Sequence, residues 1–498
     1  MLAGARVFPL SPARDIPDTH RFHCGGEGRG EGECVSRGPL IRPSGTFSPT
    51  IKLPVWMKVE GGGEGAGSAR FRRGSRCCEF RSGFTRRVGL EDVPGGPLTK
   101  PSTDTPPASP PDWSGWRGPH RDGRVPWLPA RLPEKLVTRW KARMADQGVG
   151  GVAATRDAVL VTDREFDDTR DVVRCLDAAT GKPRWTKSYA APGKLDYGNS
   201  ARATPLVVGE LAIVMGAHGH LHAYDLATGA VRWKKDLARE FDLREEMKWG
   251  LCASPLLVDG LLVVCPGGEK GCLAALEPAT GEVRWRSPGG PTGYGSPIVG
   301  LFGGKRQILG HDKETLGGWD PATGARLWSV RPDQPGDFNV PTPLLWKDRL
   351  VVATEGNGLR LFEAGTEGAA KSPPTALNRR LKPDTHTPVI VGDRLFAVHR
   401  ELVCVNLADG LKPLWSGRDE AYRDHASLIA STDRVLVQTS TTELILVDAL
   451  ADEYRELGRL RVLDDEDGLL AHPALVGRWL YVRGAASLVC VDLLGEGE

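Results

Sequence analysis

The chain has 498 residues, 40% of them hydrophobic, and a formal net charge of +2; no run approaches the ~18 apolar residues of a membrane-spanning helix, and the length suits one large β domain with an appendage. The charge is uneven: residues 1–110 hold 16 Lys and Arg against 11 Asp and Glu, leaving 49 against 52 for the remainder. A remainder without basic excess argues against nucleic acid as a partner.

Residues 1–111 come first and are rich in Gly, Arg, Pro and Ser, with tracts such as GEGRGEGE and GGGEGAGSARFRRG. Such composition buries too little apolar surface to offset the entropy of ordering. The segment reads as disordered, or as a stretch lying upstream of the true start. The opening MLAGARVFPL is short and weak for a secretory leader, and no lipobox follows. Next, residues 136–143 (LVTRWKAR) have the pattern of an outer strand around Trp140, with no partner strands before it.

From residue 150 onward the chain repeats. Eight times an apolar strand ends in an acidic or amide residue, at Asp177, Asp225, Glu277, Asp320, Glu363, Asn406, Asp448 and Asp492, with spacings of 42 to 52 residues. The clear copies, DAATGKPRW, DLATGAVRW, EPATGEVRW and DPATGARLW, share Asp/Glu-x-x-Thr-Gly-x-x-x-Trp, whereas the fifth and seventh lack the Trp. A small residue, often followed by Pro, then an apolar strand, a polar turn and a second apolar strand precede each motif, the first copy (150–161) being Pro-free. Each repeat is therefore a four-stranded meander, and a strand-only period of this length predicts a β-propeller. The eighth copy ends before an outer strand. We therefore expect an all-β, eight-bladed propeller over 112–498, closed by residues 136–143 as the missing strand, with Trp140 beside the strand of Cys490. The motif itself is structural: Asp accepts turn N–H groups, Gly supplies positive φ, and Trp packs between blades. Cys175, Cys404 and Cys490 share one repeat position and read as small buried residues.

The repeat resembles the tryptophan-docking motif of the quinoprotein (pyrroloquinoline-quinone-type) propeller superfamily, and Trp113-Ser-Gly-Trp116-Arg-Gly-Pro-His-Arg-Asp-Gly123 is similar to a leading segment of bacterial members. The resemblance spans about residues 112–498. It implies either a non-enzymatic binding propeller of the outer-membrane-assembly lipoprotein type or a pyrroloquinoline-quinone dehydrogenase with Ca²⁺. The only adjacent Cys pair, Cys77-Cys78, lies outside the repeats, and no motif carries over calcium ligands or a catalytic base. The expectation is a monomeric binding or scaffolding propeller outside the cytoplasm, with a protein or other cell-envelope partner, no catalytic residues and no metal.

For the binding surface, loops that lead from the outer strand of one blade to the inner strand of the next converge on one mouth of a ring. They carry Asn199, Trp249, Tyr294, Asn339, His386 and His425, with Tyr197, Arg202 and His472 beside them. Trp249 is the expected anchor. The charged run 238–250 reads as a solvated loop or short helical turn. His218, His220 and His222 resemble a metal stripe but straddle a hairpin turn, and His311–Glu314 is expected at the surface.

Overall fold

The computed structural model describes residues 105–145, 148–245, 247–463, 468 and 470–495. Thirty-two strands form eight separate four-stranded antiparallel sheets. Seven blades are consecutive meanders; the first, for example, runs through Ala153–Ala154, Ala158–Arg164, Arg170–Asp177 and Pro183–Ala190. The eighth joins Ala474–Val476, Trp479–Arg483 and Ser487–Asp492 to Val137–Arg143, with Trp140 opposite Cys490. The expected closure is present. No helix among the described residues is long and apolar enough to cross a membrane.

The repeat motif works as its chemistry requires. Asp177 Oδ1 accepts from the backbone N–H of Thr180 at 3.0 Å and from its hydroxyl at 2.9 Å. Asp225 and Asp320 hold Thr228 and Thr323 in the same way. In four copies the Trp then donates its indole N–H to the next blade, to the carbonyl just after that blade's acidic residue, and Trp415 donates to Ala451 O of the seventh. Trp140 reaches Ala178, Trp185 reaches Leu226, Trp233 reaches Pro278 and Trp285 reaches Pro321, at 2.7–3.1 Å. The motif glycine serves two ends. At Gly181 φ is +68°, and a Cβ there would stand 2.4 Å from the Trp140 ring.

Opposite each Trp, across the outer strand pair, stands the residue two before the acidic position: Cys175, Ala223, Ala275, Gly318, Cys404 or Cys490. All are small because the indole lies over them, and all three cysteines are buried. Burial pushes their thiols up, to about 11 for Cys175 and about 12 for Cys404 and Cys490. They are packing residues.

Where a motif is degenerate, other groups substitute. With no acidic-Thr-Gly turn in the fifth blade, the Trp328 indole bonds to Gln307 of its own blade at 2.7 Å. The fifth blade has no outer Trp; Trp346 on its inner strand instead donates to the Gly392 carbonyl and to Asp393 of the sixth. The apolar cores form between blades. Ile213 and Met215 of the second, for instance, share one cluster with Leu262, Val264 and Ala274 of the third.

Candidate functional site

Most inner strands start at residue-Pro pairs, and hydroxyls before them link several neighbouring blades around the axis. The N–H of Thr204 donates to Ser254 Oγ, that of Ser254 to Ser296 Oγ, and that of Thr342 to Thr387 Oγ1, at 2.9–3.0 Å. The small-residue-Pro element is thus a girdle around the channel.

That channel is filled, which the repeat pattern alone does not reveal. The Trp113 and Ser114 carbonyls accept from Ala154 and Val207 of the first two blades. The Trp116 indole donates to Thr342 of the fifth. Arg117 Nη2 donates to the Pro388 carbonyl of the sixth, and Arg121 to the Pro255 and Ser254 carbonyls of the third. Gly123 and Val125 bond Ala430 of the seventh from both sides, and Trp113 stacks on His472 of the eighth. The segment known from the sequence only by resemblance is a plug that touches seven blades.

Above the plug, the outer-to-inner loops share their mouth with the turns between the two middle strands of each blade. Six of those loops carry the six expected residues, which fall into three groups. Trp249 and Tyr294 meet edge to face with ring centroids 5.1 Å apart, and Phe338 completes a trio at 4.9 Å from Trp249 and 5.6 Å from Tyr294. All three are half-buried. His386 and His425 pack together at 5.6 Å, and His425 bonds the Thr385 hydroxyl. Asn199 stands apart, accepting from Leu195 N and donating to Asp168 at 2.5 Å.

Asn199 and Asn339 are each only 5% exposed. Asn339 accepts from the Tyr294 N–H and donates to the Asp312 carbonyl. Both amides organise loops; the exposed chemistry belongs to the aromatics. Phe338 was the missed member, although an aromatic in the same type of loop as Trp249 and Tyr294 was a visible signal. Phe166 and Tyr197, 76% and 75% exposed, add a second apolar point above the first and second blades. Phe166 was missed because it sits in a middle-strand turn.

Other expectations change with burial. His311 and Asp312 are buried, contrary to the surface reading: Asp312 accepts from Glu314, Thr315 and Arg326 and closes its turn inward, while Lys313 and Glu314 face solvent. The run 238–250 begins with a short helix, Leu237–Glu240, capped by Asp236, and its charges are paired, as in Lys235 with Glu240 and Arg244 with Asp242. His218 lies in the turn and His220 and His222 on the following strand, where both pack on Tyr189.

Burial holds several imidazoles neutral, taking His472 and His311 down to about 3 and His222 and His386 to about 4. The unfolded chain takes up protons on these groups near pH 6.5, whereas the native state does not until far lower pH. Stability is therefore complete above pH 6.5 and declines as pH falls towards 4. Thermal melts are expected to show Tm falling by about 5 °C or more between pH 7 and pH 5; a flat profile would contradict this burial.

The same geometry tests the quinone alternative. Among the described residues no group of three or more His, Cys, Asp or Glu is placed to hold a metal ion. The channel axis is taken by Trp113, Arg117 and Arg121, and Cys77-Cys78 lies outside the described residues.

A family model described as outer membrane protein assembly factor BamB matches residues 137–288 and 217–452. Outer membrane protein assembly factor BamB of Shewanella oneidensis is 26% identical over 367 residues, spanning 62% of this chain and 88% of that protein. Among solved structures, BamB from Moraxella catarrhalis has a TM-score of 0.52 at 17% identity, covering 72% of this chain and 100% of that one. The quinohemoprotein alcohol dehydrogenase from Comamonas testosteroni has a TM-score of 0.58 at 13% identity, with 78% and 81% covered. At these identities the solved structures share the fold.

Proposed function

We propose, because the chain belongs to the PQQ-repeat propeller family described as outer membrane protein assembly factor BamB, that it is a non-enzymatic scaffold whose loop-lined mouth binds a protein partner in the cell envelope. The observation that carries this reading is the contact among Trp249, Tyr294 and Phe338. Three successive loops each contribute one half-buried aromatic, giving a broad apolar surface on a rigid ring. Aromatic anchors of this kind dominate many protein interfaces. Lys248 Nζ lies 4.9 Å from the Trp249 ring and pairs with Asp196 at 3.0 Å.

Trp249→Ala is expected to abolish retention of the partner from native envelope extracts by at least tenfold, with the melting temperature nearly unchanged. Binding that persists after Trp249 and Tyr294 are both replaced, yet disappears when exposed outer-strand residues such as Leu327 and Leu414 are changed, would move the site to the rim. Titration with pyrroloquinoline quinone and Ca²⁺, followed by dye-linked alcohol oxidation, tests the enzymatic alternative directly. Turnover there would displace the scaffold reading.

A further inference from the structure

The plug carries two cations whose charge the protein leaves uncompensated. Arg117 and Arg121 are 1% and 6% exposed. Buried charges are ordinarily paired, and this chain does so elsewhere: Arg164 meets Asp171 at 2.8 Å and Arg483 meets Asp163 at 3.1 Å, all four buried. On the axis the partners are carbonyls. Arg117 Nη2 bonds Pro388 O at 2.7 Å, and Arg121 bonds Pro255 O at 2.7 Å and Ser254 O at 3.0 Å. Arg117 Nε and Nη1 and Arg121 Nε donate to no protein group.

The surroundings supply little negative charge. Asp122 acts on Arg117 from a distance, but its Oδ1 accepts the Arg124 backbone N–H. Arg121 is flanked by the Cys265 thiol, which burial holds protonated, and by Arg117 itself. Burial pulls both guanidinium groups down to about 9, so both remain charged at neutral pH. Two desolvated cations that act on one another, met by carbonyls and a distant Asp122, are unfavourable.

We propose that the channel holds a small anion, of halide or single-carboxylate size, on the unpaired N–H groups of Arg117 and Arg121. Planar guanidinium forks suit such ions. We assign the anion to solvent. A carboxylate inserted by a partner has the same chemistry and is separated by the test.

Crystals of the full chain grown in bromide are expected to show an anomalous peak within hydrogen-bond reach of Arg117 Nε or Nη1, or Arg121 Nε. No peak there overturns the site. In parallel, melting at fixed ionic strength should give a Tm about 2 °C higher in chloride than in the bulky 2-(N-morpholino)ethanesulfonate, because a ligand bound only by the native state stabilises it. Arg121→Gln should lose that difference, and a difference that survives the substitution overturns the proposal. Should that variant fail to fold, the bromide map of the unmodified chain decides. If chloride has no effect and only a peptide with a free carboxylate raises Tm, the anion is a partner's and the solvent assignment falls.

Discussion

Trp140→Ala is expected to destabilise the ring by about 3–5 kcal/mol, the range for a buried aromatic cut to alanine. The ring is 8% exposed, its indole N–H bonds Ala178 O at 2.9 Å, and its face covers Gly181 of the first blade. The strand that bears it is the outer edge of the eighth blade, held there by its pairing with Ser487–Asp492. Loss of the ring therefore leaves both a cavity and a loosened closing strand. Guanidinium melts against His220→Ala, whose half-buried ring packs on Tyr189 and should cost about 1 kcal/mol or less, provide the comparison. Equal losses would show that the seam does not depend on the docked indole.

Asp163→Ala should be as damaging, for a different reason. Asp163 is wholly buried in the first blade and bonds Arg483 of the eighth, Arg174 of its own blade and the Ala145 backbone N–H. Removing the carboxylate breaks the buried ion pair that Arg483 makes across the closure. Breaking one partner of a buried pair typically costs about 3–5 kcal/mol. Replacing both residues together, Asp163→Leu with Arg483→Met, should recover much of that loss, because the penalty lies in removing one half of a buried pair. A double variant as unstable as the single one would place the cost in packing instead.

The blades were legible because their determinants are local. An acidic residue, a Thr-Gly turn and a Trp lie within nine positions, and each bond they make reaches only the next blade. Trp140 could be placed beside Cys490 because an incomplete last repeat and an orphan strand answer each other. The plug was opaque for the opposite reason: Trp116, Arg117 and Arg121 find their partners 133 to 271 positions away, and no repeat sets that geometry. Within the mouth, sequence position located Trp249 and Tyr294 correctly on adjacent loops. It could not tell that Asn199 and Asn339 turn inward to satisfy backbone groups, since an amide suits a turn and a surface equally. Nor did it show that Asp312 is drawn under its own turn by Arg326.

The pairing of Val137 with Asp492 also sets a timetable. The first strand of the ring leaves the ribosome about 350 residues before its neighbour is made, a wait of roughly 20–70 s at ordinary rates of synthesis. Throughout that interval Trp140 has the first blade to dock on, at Ala178 and Gly181, but its strand has no eighth blade to pair with. The nascent chain carries that strand with an unpaired edge until Ser487–Asp492 is made, so the ring closes last.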